Sequence, residues 1–460
     1  MSLRLWIGSG VGVVTLVAGV AGCSASTPAS ADGGPAEQVA RVDLAREPAS
    51  AVPARDLDAA VAANNAFAFD LYDRLDAGSG AATNRIISPL SASLALTMAY
   101  AGAGGQTAAQ MATALHFDAD AGAAIFNGQN ALDQALASRG AAALAAVMAQ
   151  NANVAPGTPV QTPSASDYQL EVVNSVWGEK TYSWGKAFLT TLAQSYGAGV
   201  YLEDFIHASE PTRQAINAWV SDETDDKIND LLLPSLDPST RMVLVNALHV
   251  KFPWAHPFDP SANSTGAFMR SDGTTVTATF MNQTLTAGYL DDGQAQIAVL
   301  PLTLPNGDVS VVIALPYPGV SLSAYALAAN TAELTQPQRE GQIMLSLPKV
   351  TFTSPTFSLK PALVSMGMQL AFTPNANFTA MCANRSLYIE DVLQKTTLSM
   401  QETGVEAAAA TAVLFTLTAA ETTIATMVVN RPYLVAIVDR PTGALLFLGH
   451  IVDPTDAGGP

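Results

Sequence analysis

Apolar residues along the chain change their period partway through. From residue 57 they recur at helical spacing, with Phe67, Leu71 and Leu75 on one face, until the Gly-containing stretch 78–80 breaks the pattern before the short run Ile86-Ile87. A second helix is predicted over 89–101, closed by Gly102, Gly104 and Gly105, and Thr107 is placed to cap a third. Residues 139–168 are Ala-rich and then Pro/Thr/Ser-rich, which predicts a surface insertion between a helix and a strand at 169–177. After a helix at 211–220 the pattern turns to β-type runs at 242–251, 274–281, 297–301, 308–315, 343–353, 396–400, 424–429, 433–439 and 444–451. Their Val, Ile, Thr and aromatic content and their Gly/Pro/Asp punctuation support strands. Helices first and strands later, with no regular βαβ alternation and no fixed repeat, predict an α+β body with antiparallel or mixed sheets.

The amino terminus follows a different logic. An apolar run after Arg4 extends to Val20-Ala21-Gly22-Cys23 and falls short of the ~20 apolar residues of a spanning helix, so it reads as a signal peptide. Its last four residues resemble the bacterial lipobox, in which cleavage frees a cysteine that is then lipidated; that makes 1–22 the leader and Cys23 the acylated first residue. The alternative is an ordinary secretory signal with an incidental cysteine. Ser24 resembles outer-membrane sorting in enterobacteria, so the expected location is the bacterial cell envelope, at the outer membrane facing the periplasm or the cell surface. Residues 23–56, rich in Ala, Ser, Pro and Gly, read as a flexible tether, 57–455 as one large domain, and 456–460 as a tail.

Charge and composition narrow the chemistry. With 39 acidic and 21 basic side chains the net charge is −18, yet only 13% of residues are charged and 49% are hydrophobic, which excludes an electrostatic nucleic-acid binder and a disordered polyanion. Two cysteines, Cys23 and Cys382, exclude zinc ribbons and disulfide scaffolds. No histidine pair has the spacing of a zinc helix, and Walker, dinucleotide and nucleophile-elbow motifs are missing from the sequence. His249 and His450, in β-type runs, read as hydrogen-bonded structural residues. Asp222, Glu223, Asp225 and Asp226 read as a solvated face or turn, because the glycine turn of a calcium loop is missing.

One segment is chemically odd. Residues 402–429 carry only three charged side chains, Glu402, Glu406 and Glu421, among small and apolar ones. Read as extended chain, 405–415 places Val405, Ala407, Ala409, Thr411, Val413 and Phe415 on one face, and Glu406, Ala408, Ala410, Ala412 and Leu414 on the other. Such a strand buries a face without burying a charge, as a segment that slips between existing strands must.

Here the sequence resembles the serpins, serine protease inhibitors that act by a conformational trap. The run Glu402-Thr403-Gly404-Val405-Glu406-Ala407-Ala408-Ala409-Ala410-Thr411 is similar to their reactive-loop hinge. NRIISPLSASLALTMAYAGAGGQT at 84–107, NSVWGEK at 174–180, INAWVSDETDDKINDLL at 216–232, LVNALHVKFPWAHPF at 244–258, LPKVTF at 347–352 and NRPYLVAIVDRPTGALLFLGHIVDP at 430–454 follow the family's order. The resemblance implies a single domain of about eight or nine helices around three β-sheets with an exposed reactive-centre loop. It implies a shutter of Ser88, Ser91 and Asn246, with Gln394 where a His is expected; Gln394 still donates and accepts hydrogen bonds but carries no charge at mild acidity. It makes Trp254 the breach residue, where the loop starts to insert. It further implies no catalytic group, no metal and no cofactor, and a monomer that traps a protease as its acyl-enzyme.

Counting forward from Gly404 puts the cleaved bond after Thr418, and counting back from Pro432 puts it after Glu421, giving a window of Leu417, Thr418, Ala419, Ala420 and Glu421. The first part of that window suits elastase-like or subtilisin-like pockets and Glu421 a glutamate-specific protease; with no Arg or Lys in it, a trypsin-like target is disfavoured. The early helices lack a Lys/Arg cluster, so no heparin-type site is expected. Two other readings stand beside the inhibitor: a non-inhibitory serpin acting as a binding or scaffold lipoprotein, and an enzyme using Cys382 as nucleophile, for which no His partner is marked in the sequence.

Overall fold

The computed structural model describes residues 38–79, 82–153, 163–234, 236, 239–303, 307–328, 334, 339–383, 387–405 and 423–459. Among these, nine α-helices form: α1 (Ala54–Ser79), α2 (Pro89–Tyr100), α3 (Gly105–Ala114), α4 (Ala123–Ala137), α5 (Arg139–Ala152), α6 (Lys186–Tyr196), α7 (Ser209–Glu223), α8 (Leu322–Ala328) and α9 (Lys360–Ser365). They flank two large sheets. The first runs in the order β1 (Val39–Ala40), β4 (Val200–Glu203), β3 (Gln169–Glu179), β5 (Met242–Pro253), β15 (Gly404–Val405), β14 (Thr397–Gln401), β11 (Val350–Thr353). The second runs β16 (Thr423–Val428), β10 (Arg339–Pro348), β7 (Thr275–Asp291), β8 (Ala295–Pro301), β9 (Val309–Pro316), β17 (Tyr433–Asp439), β18 (Ala444–Ile451), β2 (Arg85–Ile87), with β6 (Ser264–Met269) paired to β7. A short pair, β12 (Phe357–Ser358) and β13 (Leu393–Gln394), completes the α+β domain.

Patterning explains what is buried. Every residue of β9, β17 and β18 is buried, as expected of central strands covered on both faces. Helix α2 is buried from Pro89 to Ala99, its apolar residues interspersed with the buried hydroxyls of Ser91, Ser93 and Thr97; Pro89 opens it because the first helical turn needs no N–H there. His450 of β18 is fully buried: its Nε2 donates to the carbonyl of Thr83, so its Nδ1 accepts from the Tyr72 hydroxyl. Burial holds its pKa below the ordinary histidine value, consistent with a neutral structural ring.

Several expectations change. Thr107 does not cap α3: Gly104 precedes the helix, and the Thr107 hydroxyl instead accepts from the Asn377 amide at 2.9 Å. The run 343–353 is not one strand. It divides at Lys349 into β10 and β11, which lie in different sheets: the Lys349 N–H still donates to Thr279 beside β10's partner β7, and from Val350 the chain pairs with β14 instead. The predicted insertion begins as helix α5, which buries little beyond Val147. Residues 38–56, expected in the tether, are held on the domain: β1 pairs antiparallel with β4, and the Arg46 guanidinium donates to Asn130 at 2.8 Å and Asp133 at 2.5 Å on α4.

Helix α5 is tied to the second sheet through Arg139, whose guanidinium donates twice to the fully buried carboxylate of Asp439, at 2.6 and 3.1 Å. The Thr442 hydroxyl donates to the same carboxylate at 2.6 Å. Truncating one partner of a buried pair leaves the other uncompensated, so Asp439→Ala is expected to cost about 3–5 kcal/mol in urea unfolding, and Arg139→Met/Asp439→Leu together considerably less.

Candidate functional site

The first sheet contains a seam. At its top, Gly404 and Val405 form a two-residue strand antiparallel to both neighbours: Gly404 pairs with Pro253 and Gln401, and Val405 with Phe252 and Met400. Below that point no ladder among the described residues joins β5 to β14. The gap is a narrow cavity bordered by Leu248 and Val250 of β5, Thr397 and Leu398 of β14, and Val405 above. Val405 is buried and packs into the apolar core shared by both sheets.

The turn that delivers β15 is gripped from several sides. The backbone N–H of Trp254 donates to the carbonyl of Thr403 at 3.0 Å, and its indole Nε1 donates to that of Gln401 at 2.7 Å. The Trp254 ring is buried and lies edge-on to Phe258, whose amide donates to the Glu402 carbonyl at 2.9 Å. Lys349, in the crossing between β10 and β11, holds the Glu402 carboxylate at 3.0 Å, and Asn263 donates to the same oxygen. Burial alone would raise the Glu402 pKa, but these donors outweigh it and hold the carboxyl below the ordinary glutamate value. A depressed folded-state pKa contributes stability that is present above the unfolded value of ~4.3 and lost as pH falls through the folded one. Lys349→Met is therefore expected to lower stability by about 1 kcal/mol at pH 7, with the difference from wild type shrinking as pH falls below the ordinary glutamate range in parallel melting curves.

Beneath the sheet, Ser88 and Gln394 are brought together from residues far apart in sequence. The Ser88 amide donates to Gln394 Oε1 at 3.1 Å, Gln394 Nε2 donates to the Ser88 carbonyl at 2.8 Å, and the Ser88 hydroxyl donates to the Leu446 carbonyl at 3.1 Å. A carboxamide makes this two-way clasp because it carries both a donor and an acceptor. Thr396 extends the clasp, donating to the Ile86 carbonyl at 2.8 Å. Ser91 is buried in α2, and Asn246 lies in β5 in register with Asn174.

Glu406, Ala407, Ala408, Ala409, Ala410 and Thr411 of the hinge, the window Leu417–Glu421, and Cys23 lie outside the described residues. The chain enters that stretch from β15 and leaves it at β16, parallel to β10 at the edge of the other sheet. Cys382 is buried in the apolar core. Among the described residues no cluster of three or more His, Cys, Asp or Glu side chains is arranged to hold a metal ion. Sequence reasoning missed Lys349, Asn263 and Thr396. The one legible signal was the single cation in the apolar run LPKVTF; the other two are ordinary polar residues whose roles arise from contacts distant in sequence.

The family model for Serpin (serine protease inhibitor) matches residues 62–454. The leukocyte elastase inhibitor of Sus scrofa is 31% identical over 407 residues, covering 85% of this chain and 99% of that protein. An uncharacterized serpin-like protein of Thermococcus kodakarensis is 31% identical over 401 residues, covering 86% of each. Among solved structures, human thyroxine-binding globulin aligns with a TM-score of 0.72 at 26% identity over 87% of this chain and 100% of that one. The thermophilic serpin tengpin in its native state aligns with a TM-score of 0.71 at 25% identity over 90% and 96%. Sheet order, seam, clasp and family model agree, and the chain belongs to the serpin family.

Proposed function

We propose that this protein is a suicide inhibitor of serine endopeptidases, with cysteine endopeptidases a lesser target. A protease attacks the loop within 417–421 and forms an acyl-enzyme; the freed hinge then zips into the seam below Val405 as a strand between β5 and β14, and the tethered protease is dragged away and distorted before hydrolysis finishes. The inhibitor supplies a cleavable bond and stored conformational energy, and no catalytic group. The observation that carries this reading is β15, two residues already paired on both sides in the orientation the following small residues need. Relatives named as elastase inhibitors, and a window without Arg or Lys, support an elastase-like or subtilisin-like target. Incubation with pancreatic elastase and with subtilisin should each be followed on denaturing gels: a boiling-resistant complex with either supports the trap, and a loop cut by both with no such complex rejects it.

The lipobox-like run supports an exported lipoprotein of the bacterial envelope, anchored through Cys23. The mature wild type should then partition into detergent and Cys23→Ala into the aqueous phase; equal partition rejects the anchor. The likeness to thyroxine-binding globulin supports a second reading, a non-inhibitory binding or scaffold lipoprotein on the same fold.

A further inference from the structure

Helix α7 packs through Ile216 and Val220 onto Trp177 of β3 and Val245 of β5, on one face of the first sheet. Directly after α7 the chain continues across that face. Gln169 Nε2 of β3 donates to the Asp225 carboxylate at 3.0 Å, and Lys395, two residues before β14, donates to the Asn229 carbonyl at 2.9 Å. Strand β3 lies beyond β5 on one side of the seam and β14 lies on the other, so the segment Thr224–Asn229 straddles the seam and is fastened on both banks. Thr224, Lys227 and Ile228 border the seam cavity, together with His249 of β5 and Thr397 of β14. Admitting a strand widens the seam by about one strand spacing, ~4.8 Å, which two intact hydrogen bonds cannot follow.

His249 stands within this span. It is buried and pairs in register with the exposed Glu171 of β3, so the two side chains share one face, and it is the face that carries Gln169 and Val245. Burial raises the Glu171 carboxyl above the ordinary glutamate value, His249 lowers it and Asp225 raises it, so the three groups sense one another. The other charged groups on this side are lysines. Lys251, two residues along β5, is turned to the Ser166 carbonyl and Asp167; Lys395 is held by Asn229; Lys227 belongs to the crossing segment itself. From 222 to 229 the chain carries Asp222, Glu223, Asp225 and Asp226 against that one lysine, so an imidazolium at 249 is drawn to Glu171 and to the crossing segment.

The same charge opposes insertion directly. A strand set beside β5 removes the ring further from water, and that costs an imidazolium more than a neutral imidazole. Both effects have one sign: the charged ring is favoured while the seam is empty and disfavoured once it is filled. Filling the seam therefore releases a proton, and acid works against it.

We propose that Thr224–Asn229 is a pH-sensitive strap across the seam, drawn tight by the imidazolium form of His249 and slackened by the neutral ring. That acid thereby slows loop insertion rests on the inhibitory reading above; the strap itself does not.

Deuterium exchange of the intact full chain, read by mass spectrometry over residues 224–232, tests the strap. Wild type, His249→Gln and Glu171→Gln are compared at about pH 8 and about pH 5.5, on either side of the ordinary histidine value of ~6.5 and above the ordinary carboxylate range. Comparing the chains at equal pH cancels the intrinsic pH dependence of exchange. At the lower pH wild type should exchange at least threefold more slowly than either variant, and at the higher pH all three should agree within twofold. Equal exchange at the lower pH, or the same difference at both, overturns the proposal. Should His249→Gln fail to fold, Glu171→Gln, at an exposed position, decides alone. Titration of subtilisin then reads the consequence as chain cut per boiling-resistant complex formed, a ratio in which the protease's own pH dependence is common to wild type and variant. It should be at least threefold higher for wild type than for His249→Gln at the lower pH; equal ratios there overturn the acid effect on insertion. No complex at either pH rejects the inhibitory reading instead, and the strap then stands or falls on exchange.

Discussion

Ala409→Arg is expected to convert the inhibitor into a substrate: the loop is still cut by elastase or subtilisin, but the boiling-resistant complex falls by an order of magnitude or more. The reason is the parity set by Val405. Its side chain is buried against the core beneath the seam, so an extended continuation puts Ala407, Ala409 and Thr411 inward and Glu406, Ala408 and Ala410 outward. An arginine at 409 would enter a gap lined by Leu248, Val250 and Leu398. An unpaired charge there costs several kcal/mol, enough to let hydrolysis of the acyl-enzyme outrun insertion. Ala408→Arg, one residue away on the outward face, should retain most of the complex. Equal behaviour of the two variants would show that the chain does not insert in this register.

Cleavage of the loop should raise the melting temperature by about 10–20 °C. Backbone hydrogen bonds gained by the inserting strand roughly offset the entropy of ordering it, so the net gain comes from its inward side chains. Two alanines, a threonine, Val413 and Phe415 together bury enough for about 5–10 kcal/mol, and a domain of this size gains ~2 °C per kcal/mol. Differential scanning calorimetry before and after limited subtilisin digestion reads this directly. A cut chain that melts with the intact one would leave the non-inhibitory reading as the better account. The clasp beneath the sheet offers a graded control: Gln394→Leu strips partners from the Ser88 amide and carbonyl and should lower the melting point of the intact form.

Local chemistry made much of this legible. Phe67 and Leu71 at helical spacing do lie on the buried face of α1, and the β-type runs at 433–439 and 444–451 correspond to β17 and β18. Periodicity is a property of neighbouring residues, so a sequence carries it openly. Sheet membership is not: 343–353 reads as one strand and yet serves two sheets. Residues 38–56 read as tether because their composition is plain, whereas Arg46 is held by partners on a helix more than 80 residues away.

For the site the same division holds. The sequence alone determined the family, the absence of charge from one face of the 405–415 segment, and the lack of a basic residue in the cleavage window, since each is a matter of residue identity and order. Only the tertiary structure decided that Val405, the first residue of that segment, is buried between β5 and β14, because burial depends on the partners it meets there. It also decided that Lys349 anchors Glu402 across 53 residues and that Gln394 clasps Ser88 across 306. Those facts are distances between parts of the chain that composition and spacing do not bring together; folding does, by burying one apolar face against another.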